Sequence, residues 1–457
     1  MTISLTPVTD LAAAVAGPVL TPGHPDYPAE VAGFNLSVAA APAVVVGATG
    51  AADIATAVTW AADAGLPITV QANGHGLTGD LAGTLLISTR RLTAVTVDPV
   101  AATATVGAGA RWRAVIDAAA PHGLAPLNGS SSSVGAVGYT LGGGLGPLAR
   151  RFGLAADRVR ALTLVTGDGE IRRVDAEHDP DLFWAIRGGK VGFGIVVDMT
   201  IDLVPVRRLV GGGLFFPGEA AAAVLHGWRR WAPALPVEAG TSIALLRLPP
   251  DPSLPPPLQG RFVVHLRFAH LGTPAEAAEL LAPMRDIAPV LADTVGDLPY
   301  PAIDAVHMDP TTPLPAYDHG VGLTALPPEA VDALVAVAGA ESGSGVTMVE
   351  LRLLGGAVAA PVADTAPSAA PGRSAAFQAY VLGVPAGPAA ALIPAQVEAV
   401  VGALAPWRTA GGPNFLGMGG AGAAGGLWPA DQRARLAAVA RRYDPQDLFG
   451  GATRFGG

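Results

Sequence analysis

Between residues 128 and 146 more than half of the chain is serine and glycine, and this stretch restricts the possible folds more than any other feature. It reads Gly129-Ser130-Ser131-Ser132-Ser133-Val134-Gly135, then Gly138-Tyr139-Thr140-Leu141-Gly142-Gly143-Gly144-Leu145-Gly146. A flexible linker would have this composition. However, Val134, Val137, Tyr139 and Leu141 are interleaved with the glycines, so the stretch can pack. Successive amides and hydroxyls then supply many donors with almost no positive charge. That surface suits a pyrophosphate or another polar ligand held against backbone.

The flanking segments predict a scaffold of mixed strands and helices. Residues 44–46 read as a buried strand, 51–64 as a helix with Ile54, Ala57, Val58 and Ala61 on one face, and 67–70 as a second strand. This β-α-β unit runs into Asn73-Gly74-His75-Gly76. Taken alone, that tetrapeptide reads as a tight turn with an incidental histidine. Strands are predicted at 85–88, 95–97, 103–106, 159–166, 170–175 and 193–203, with Gly167-Asp168-Gly169 as a hairpin turn. From about 206 to 405, strands at 262–268, 346–354 and 376–382 alternate with helices at 275–288, 328–338 and 395–404. A helix at 431–443 lies in the final segment. The domains expected are 1–205, 206–405, and a return segment 406–457, in an α+β chain.

Composition narrows the chemistry. At 457 residues two domains are the default, and a net charge of −9 gives no electrostatic footprint for nucleic acid. There is no cysteine, which excludes disulfides, thiolate nucleophiles and iron–sulfur clusters. No uninterrupted apolar run approaches the ~18–20 residues of a membrane span. The N-terminus lacks a basic signal-peptide start, so the expected setting is cytoplasmic. Gly144-Leu145-Gly146-Pro147-Leu148-Ala149 fits the dinucleotide pattern G-x-G-x-x-A, but a glycine run precedes it and Pro147 occupies the turn. A Rossmann site is not expected. The histidines show no metal-ligand spacing. His307 and His319 read as surface or loop residues.

A third segment, Leu182-Phe183-Trp184-Ala185-Ile186-Arg187-Gly188-Gly189-Lys190, reads locally as a packed helix and turn. Together the segments resemble the vanillyl-alcohol-oxidase and p-cresol-methylhydroxylase type of FAD-linked oxidoreductase, in its berberine-bridge-like and 6-hydroxy-nicotine-oxidase-like branch. The likeness covers about 1–205 and returns at Asn414-Phe415 and at Tyr443-Asp444-Pro445 with Leu448-Phe449. It is weaker in the middle, at Leu351-Arg352-Leu353-Leu354-Gly355-Gly356. The resemblance implies a two-part FAD-binding domain and a substrate domain built on an antiparallel sheet covered by helices.

It also implies roles. His75 would bond to the flavin 8α-methyl group, giving FAD one covalent link. Ser131 stands where many relatives carry a cysteine for a second link. Asn73, Gly74, Gly76, Leu77, Gly129, Ser130, Ser131, Ser132, Val134 and Gly135 would hold the pyrophosphate and ribityl chain. Tyr139, Gly142, Gly143, Ile195, Val197, Asn414 and Phe415 would flank the cofactor or substrate. Gln71, Asn73 and Gly192 depart from the family's usual arginine, glycine and asparagine.

The reaction implied is hydride transfer from an alcohol, hemiacetal or amine carbon of a small metabolite or sugar to flavin N5, with O2 as acceptor. A cyclisation or rearrangement in secondary metabolism, or a non-catalytic flavin-binding scaffold, are the alternatives. Gln378 and Tyr380 share one face of a strand, and Glu350 and Arg352 share one face of another, making these four the catalytic candidates. Tyr380 is the first choice for acid/base or orienting work. Arg352 either binds an anionic substrate or pairs with a carboxylate. Lys190 lies either near the phosphates or, as the favoured reading, in solvent.

Overall fold

The computed structural model describes residues 8–76, 79, 81–362 and 365–456. It is an α+β fold with three sheets. The first has four strands in the order Val19–Leu20, Val44–Gly47, Leu85–Ser88, Ile68–Gln71. Its last three strands run parallel, and the helix Ala51–Ala64 joins Val44–Gly47 to Ile68–Gln71. That helix buries Ile54, Ala57, Val58 and Ala61 as its spacing predicts. Parallel strands covered by a crossover helix read as apolar runs because both faces are buried. Val44, Val45 and Val46 are at most 2% exposed.

The second sheet is antiparallel, in the order Val95–Asp98, Thr103–Gly107, Ile195–Asp202, Val159–Val165, Ile171–Asp175. The serine- and glycine-rich stretch packs beside it. Ala136, Val137 and Leu141 enter the same core as Trp112, Val115 and Phe183, so the stretch is structural and not a linker.

The third sheet has nine strands. Its central run is Arg208–Pro217, Phe262–His270, Ala239–Arg247, Met348–Leu353, Phe377–Gly383, Tyr317–Leu323. All these neighbours are antiparallel. Three of the strands, Arg208–Pro217, Ala239–Arg247 and Tyr317–Leu323, and the helix Ala221–Trp231 were not expected from the sequence. Glycine runs and polar interruptions such as Gly211-Gly212-Gly213 and Asp318-His319-Gly320 mask their alternation. Sheet neighbours stabilise them where local propensity does not.

Alternation along the third sheet separates two faces. One buries Leu214, Ile243, Leu266, Leu351, Ala379 and Val321 under four helices, Ala221–Trp231, Pro274–Arg285, Pro328–Ala338 and Ile393–Ala403. The opposite face carries Ser242, Arg267, Glu350, Arg352, Gln378 and Tyr380. Register shows it directly: Glu350 pairs with Tyr380, Arg352 with Gln378, and Ser242 with both Arg352 and Arg267. The C-terminal helix Ala430–Tyr443 returns to the first half, where Leu436, Ala437 and Ala440 join the core containing Phe183 and Ile186.

Candidate cofactor and active site

The loop bearing His75 leaves the carboxyl end of the strand Ile68–Gln71, the edge at which parallel sheets bind ligands. The imidazole stacks on Phe34, with ring centroids 3.8 Å apart and planes 17° from parallel. Its Nε2 is buried without a hydrogen-bond partner. Burial, with Arg111 acting in the same direction, lowers its pKa to about 4. The ring is therefore neutral at neutral pH and keeps a nitrogen lone pair. Phe34 carries no family signal in the sequence. Its placement explains Gln71, whose amide donates to the Ala32 carbonyl at 3.0 Å and so ties down the segment leading to Phe34. The Gly74 carbonyl accepts from the Phe34 amide at 3.2 Å. Leu77 lies outside the described residues.

The serine-rich segment meets this loop. A Cβ on Gly135 would sit 2.7 Å from Asn73 Nδ2, an atom itself buried without a partner. A larger residue there would displace the Asn73 amide. Gly129 backs the Tyr139 ring, and the Val134 carbonyl accepts from the Trp112 amide at 3.0 Å. Three of the serines are occupied within the protein. Ser132 gives its amide and its hydroxyl to Asp304, at 2.8 and 2.5 Å, and Ser131 and Ser133 share a hydrogen bond of 2.8 Å. Asp304 was invisible as a partner in the sequence, 172 positions away. Ile195 is buried in the core beneath the first sheet, Val197 packs against it, and the Val197 carbonyl accepts from Ala108 at 2.9 Å.

From the C-terminal return, Asn414 donates to the Tyr139 carbonyl at 2.8 Å, and a Cβ on Gly142 would lie 2.0 Å from Asn414 Oδ1. A cavity runs between Gly142, Gly143 and Gly144 on one wall and Gln378, Gly412 and Phe415 on the other. The glycine run thus faces the polar side of the third sheet across a gap.

On that polar side Tyr380 donates to Asp318 Oδ2 at 2.7 Å and meets Phe415 edge-on, with centroids 5.7 Å apart. Burial first, then the Asp318 charge, pushes the Tyr380 hydroxyl well above the usual tyrosine range. Asp318 also accepts from the Met418 amide at 3.1 Å, which fixes its carboxylate. Asp318 was missed because its strand was missed. Gln378 is engaged by backbone: its amide donates to Val321 and Ala379 and accepts from Gly412, so it holds the sheet and the Gly412 turn. Glu350 is fully buried and pairs with Arg352 at 2.8 Å and with Arg267 at 2.7 Å. Of the two readings of Arg352, the carboxylate pair is therefore present. Arg352 Nη2 also reaches Ser130 Oγ at 3.4 Å, joining the sheet to the serine-rich segment.

Two expectations are corrected. His307 and His319 are not surface residues: they are 6% and 8% exposed, and His319 bonds Glu398 at 2.9 Å. Each belongs to an element whose packing is set by distant chain. Lys190 does not face solvent. It is half-buried, and a Cβ on Gly76 would lie 3.6 Å from its Nζ. Burial, then Arg454, lowers its pKa to about 8, so the ammonium remains charged at neutral pH beside the His75 loop.

These residues fit an FAD. His75 Nε2, Asn73 Nδ2 and Tyr139 Oη are buried polar atoms without protein partners; the first two sit on the loop that meets Gly135, and Tyr139, in the helix Ala136–Leu141, packs on Gly129. Glycines at the points of closest approach and one cation, Lys190, complete a surface suited to a dianionic pyrophosphate.

Residues 42–175 match the FAD binding domain family. The uncharacterized FAD-linked oxidoreductase YvdP of Bacillus subtilis (strain 168) is 30% identical over 308 residues, 66% of this chain and 66% of that protein. The (R)-6-hydroxynicotine oxidase of Paenarthrobacter nicotinovorans is 31% identical over 207 residues, 45% of this chain and 42% of that enzyme. The matched stretches therefore span less than the whole of either relative, from 42% to 66% of its length. The fold extends further: the BBE-like 1 protein of Physcomitrella patens superposes with a TM-score of 0.83 at 20% identity, covering 97% of this chain and 98% of that one. With its FAD binding domain, its three sheets and these relatives, the chain belongs to the FAD-linked oxidoreductase family of berberine-bridge-like and nicotine-oxidase-like fold.

Proposed function

We propose that the protein is an oxidase that removes a hydride and a proton from an alcohol, hemiacetal or amine carbon of a small molecule, with dioxygen as final acceptor. The observation that carries this reading is the Tyr380–Asp318 hydrogen bond of 2.7 Å on the sheet face opposite the glycine run. FAD, when bound, supplies the hydride acceptor, and the remaining work falls to the side chains. Tyr380 Oη, on the same strand face as the cavity-lining Gln378, would accept the substrate's hydroxyl or amine proton. Its own proton passes along the existing hydrogen bond to Asp318. The tyrosine never has to ionise, so a hydroxyl pKa raised by burial is no obstacle to the relay. Loss of the proton makes the adjacent C–H bond a better hydride donor, and the carbon leaves as a carbonyl or imine. Phe415 borders the gap, and Asn414 packs on Gly142 of its other wall.

His75 is proposed to carry the cofactor covalently. Its neutral nitrogen, the absence of a competing protein partner and the Phe34 stack that fixes the ring all support the bond. The test begins with a visible spectrum of purified protein before and after acid precipitation. Yellow colour retained in the pellet, and lost from a His75→Ala variant, is the expected result. Release of the colour on precipitation removes the covalent role. The oxidase reading is then tested by peroxide release across alcohols, amines and sugars. Bound flavin that no substrate reduces would overturn it.

A further inference from the structure

The polar face of the third sheet holds a second cluster, separate from Tyr380. Glu350 accepts from Arg267 Nη1 at 2.7 Å, Ser242 Oγ at 2.8 Å and Arg352 Nε at 2.8 Å. One carboxylate thus answers two guanidinium groups, and both ends of the cluster are buried: Arg267 is 2% exposed and Glu350 0%. Burial raises the carboxyl of Glu350, but Arg352 and Arg267 outweigh it and hold the group ionised. A further acid, Asp309, is half-exposed and makes no ion pair with either arginine among the described residues, although its charge acts on Arg352 and on His307. Within the cluster itself two guanidinium groups share one carboxylate.

His307 stands beside it, 6% exposed, with Nε2 3.6 Å from the same Glu350 oxygen that Arg267 holds. Neither of its ring nitrogens has a hydrogen-bond partner. A buried imidazole without a partner costs stability unless something else fills the role. His307, Arg267, Arg352 and Ser242 together line a cavity closed on its far side by Gly146 and Pro147 of the glycine run. Two guanidinium groups sharing one carboxylate, an orphan imidazole N–H and an adjoining cavity are features that favour an anion.

We propose that this cluster binds a carboxylate on the substrate, so that the compound oxidised is an alcohol or amine that also bears an acid group. The inference rests on the oxidase reading above. Arg352 lies one strand from Tyr380 and Arg267 lies three, at about 4.8 Å per strand. The acid group therefore sits on the order of 5–14 Å along the sheet from the carbon that reacts.

Calorimetry on the purified holoprotein tests the site without turnover. The probes are acetate, propionate and benzoate, each paired with its uncharged amide. The expected result is that at least one acid binds tenfold or more tightly than its amide. His307→Leu should lose most of that preference, and His307→Gln, which keeps an N–H donor, should recover part of it. The wild-type comparison stands even if a variant fails to fold. If no acid is preferred over its amide, or if His307→Leu folds and keeps the full preference, the inference is overturned. Flavin content measured on the same samples separates the two readings. Flavin present without acid preference removes only the acid-binding site, whereas absence of flavin removes the oxidase reading while calorimetry still reports on the acid.

Discussion

The two faces of the third sheet are built from the same strands yet have opposite chemistry. Towards the four helices, Ile243, Leu266, Leu351 and Ala379 are wholly or almost wholly buried among apolar neighbours. One residue along each strand, Ser242, Arg267, Glu350, Arg352 and Tyr380 turn the other way, where Arg352 reaches Ser130 and shares a cavity with Gly146. The apolar face holds the sheet together through area removed from water, a term that tolerates exchange of one hydrocarbon for another. The polar face depends on matched partners at fixed distances, and each partner lost exposes another group to burial without compensation. The first face is therefore replaceable in detail and the second is not.

That contrast can be broken by substitutions one residue apart. Glu350→Gln removes the carboxylate charge that pairs with both Arg267 and Arg352. It should destabilise the fold by about 3–5 kcal/mol, read by chemical denaturation; a change below 1 kcal/mol would mean the charges are solvated. Tyr380→Phe keeps the ring and its contact with Phe415 but removes the hydroxyl. Flavin content and stability should change little, while flavin reduction by substrate should slow by roughly 10²–10⁴-fold in stopped-flow measurements. Normal reduction rates in Tyr380→Phe would exclude it from proton transfer.

Leu351→Ala, directly between the polar pair Glu350 and Arg352 but on the helix side, should cost about 2–4 kcal/mol in stability. Its turnover per folded molecule should match the parent. If turnover falls as steeply as for Tyr380→Phe, the two faces are not independent. The smallest effect concerns acid. Glu350 is held below the usual carboxylate range, so its contribution is complete above the unfolded value near ~4.3 and is lost as pH falls through the folded value. Between pH 5 and 3 the parent should lose stability more steeply than Glu350→Gln, by at most about 1.4 kcal/mol per pH unit. Parallel slopes would contradict the depressed carboxyl.

The sequence by itself determined the local framework. The valine run 44–46, the helix 51–64 with Gly65 closing it at φ +64°, and the glycines around His75 and Gly142 are legible because short-range sterics and periodicity specify them. The polar alternation at Glu350 and Arg352, and at Gln378 and Tyr380, follows from the pleat of a strand. The strand predicted at 262–268 even carried the signal of His265 and Arg267 at alternating positions. What those side chains meet was decided only by the tertiary structure. Tyr380 finds Asp318 across 62 positions, Arg267 finds Glu350 across 83, and Ser132 finds Asp304 across 172. Phe34 reaches His75, and Lys190 turns inward to Gly76, in the same way. Strand order and loop packing bring these groups together, and neither is encoded in the periodicity of any single segment.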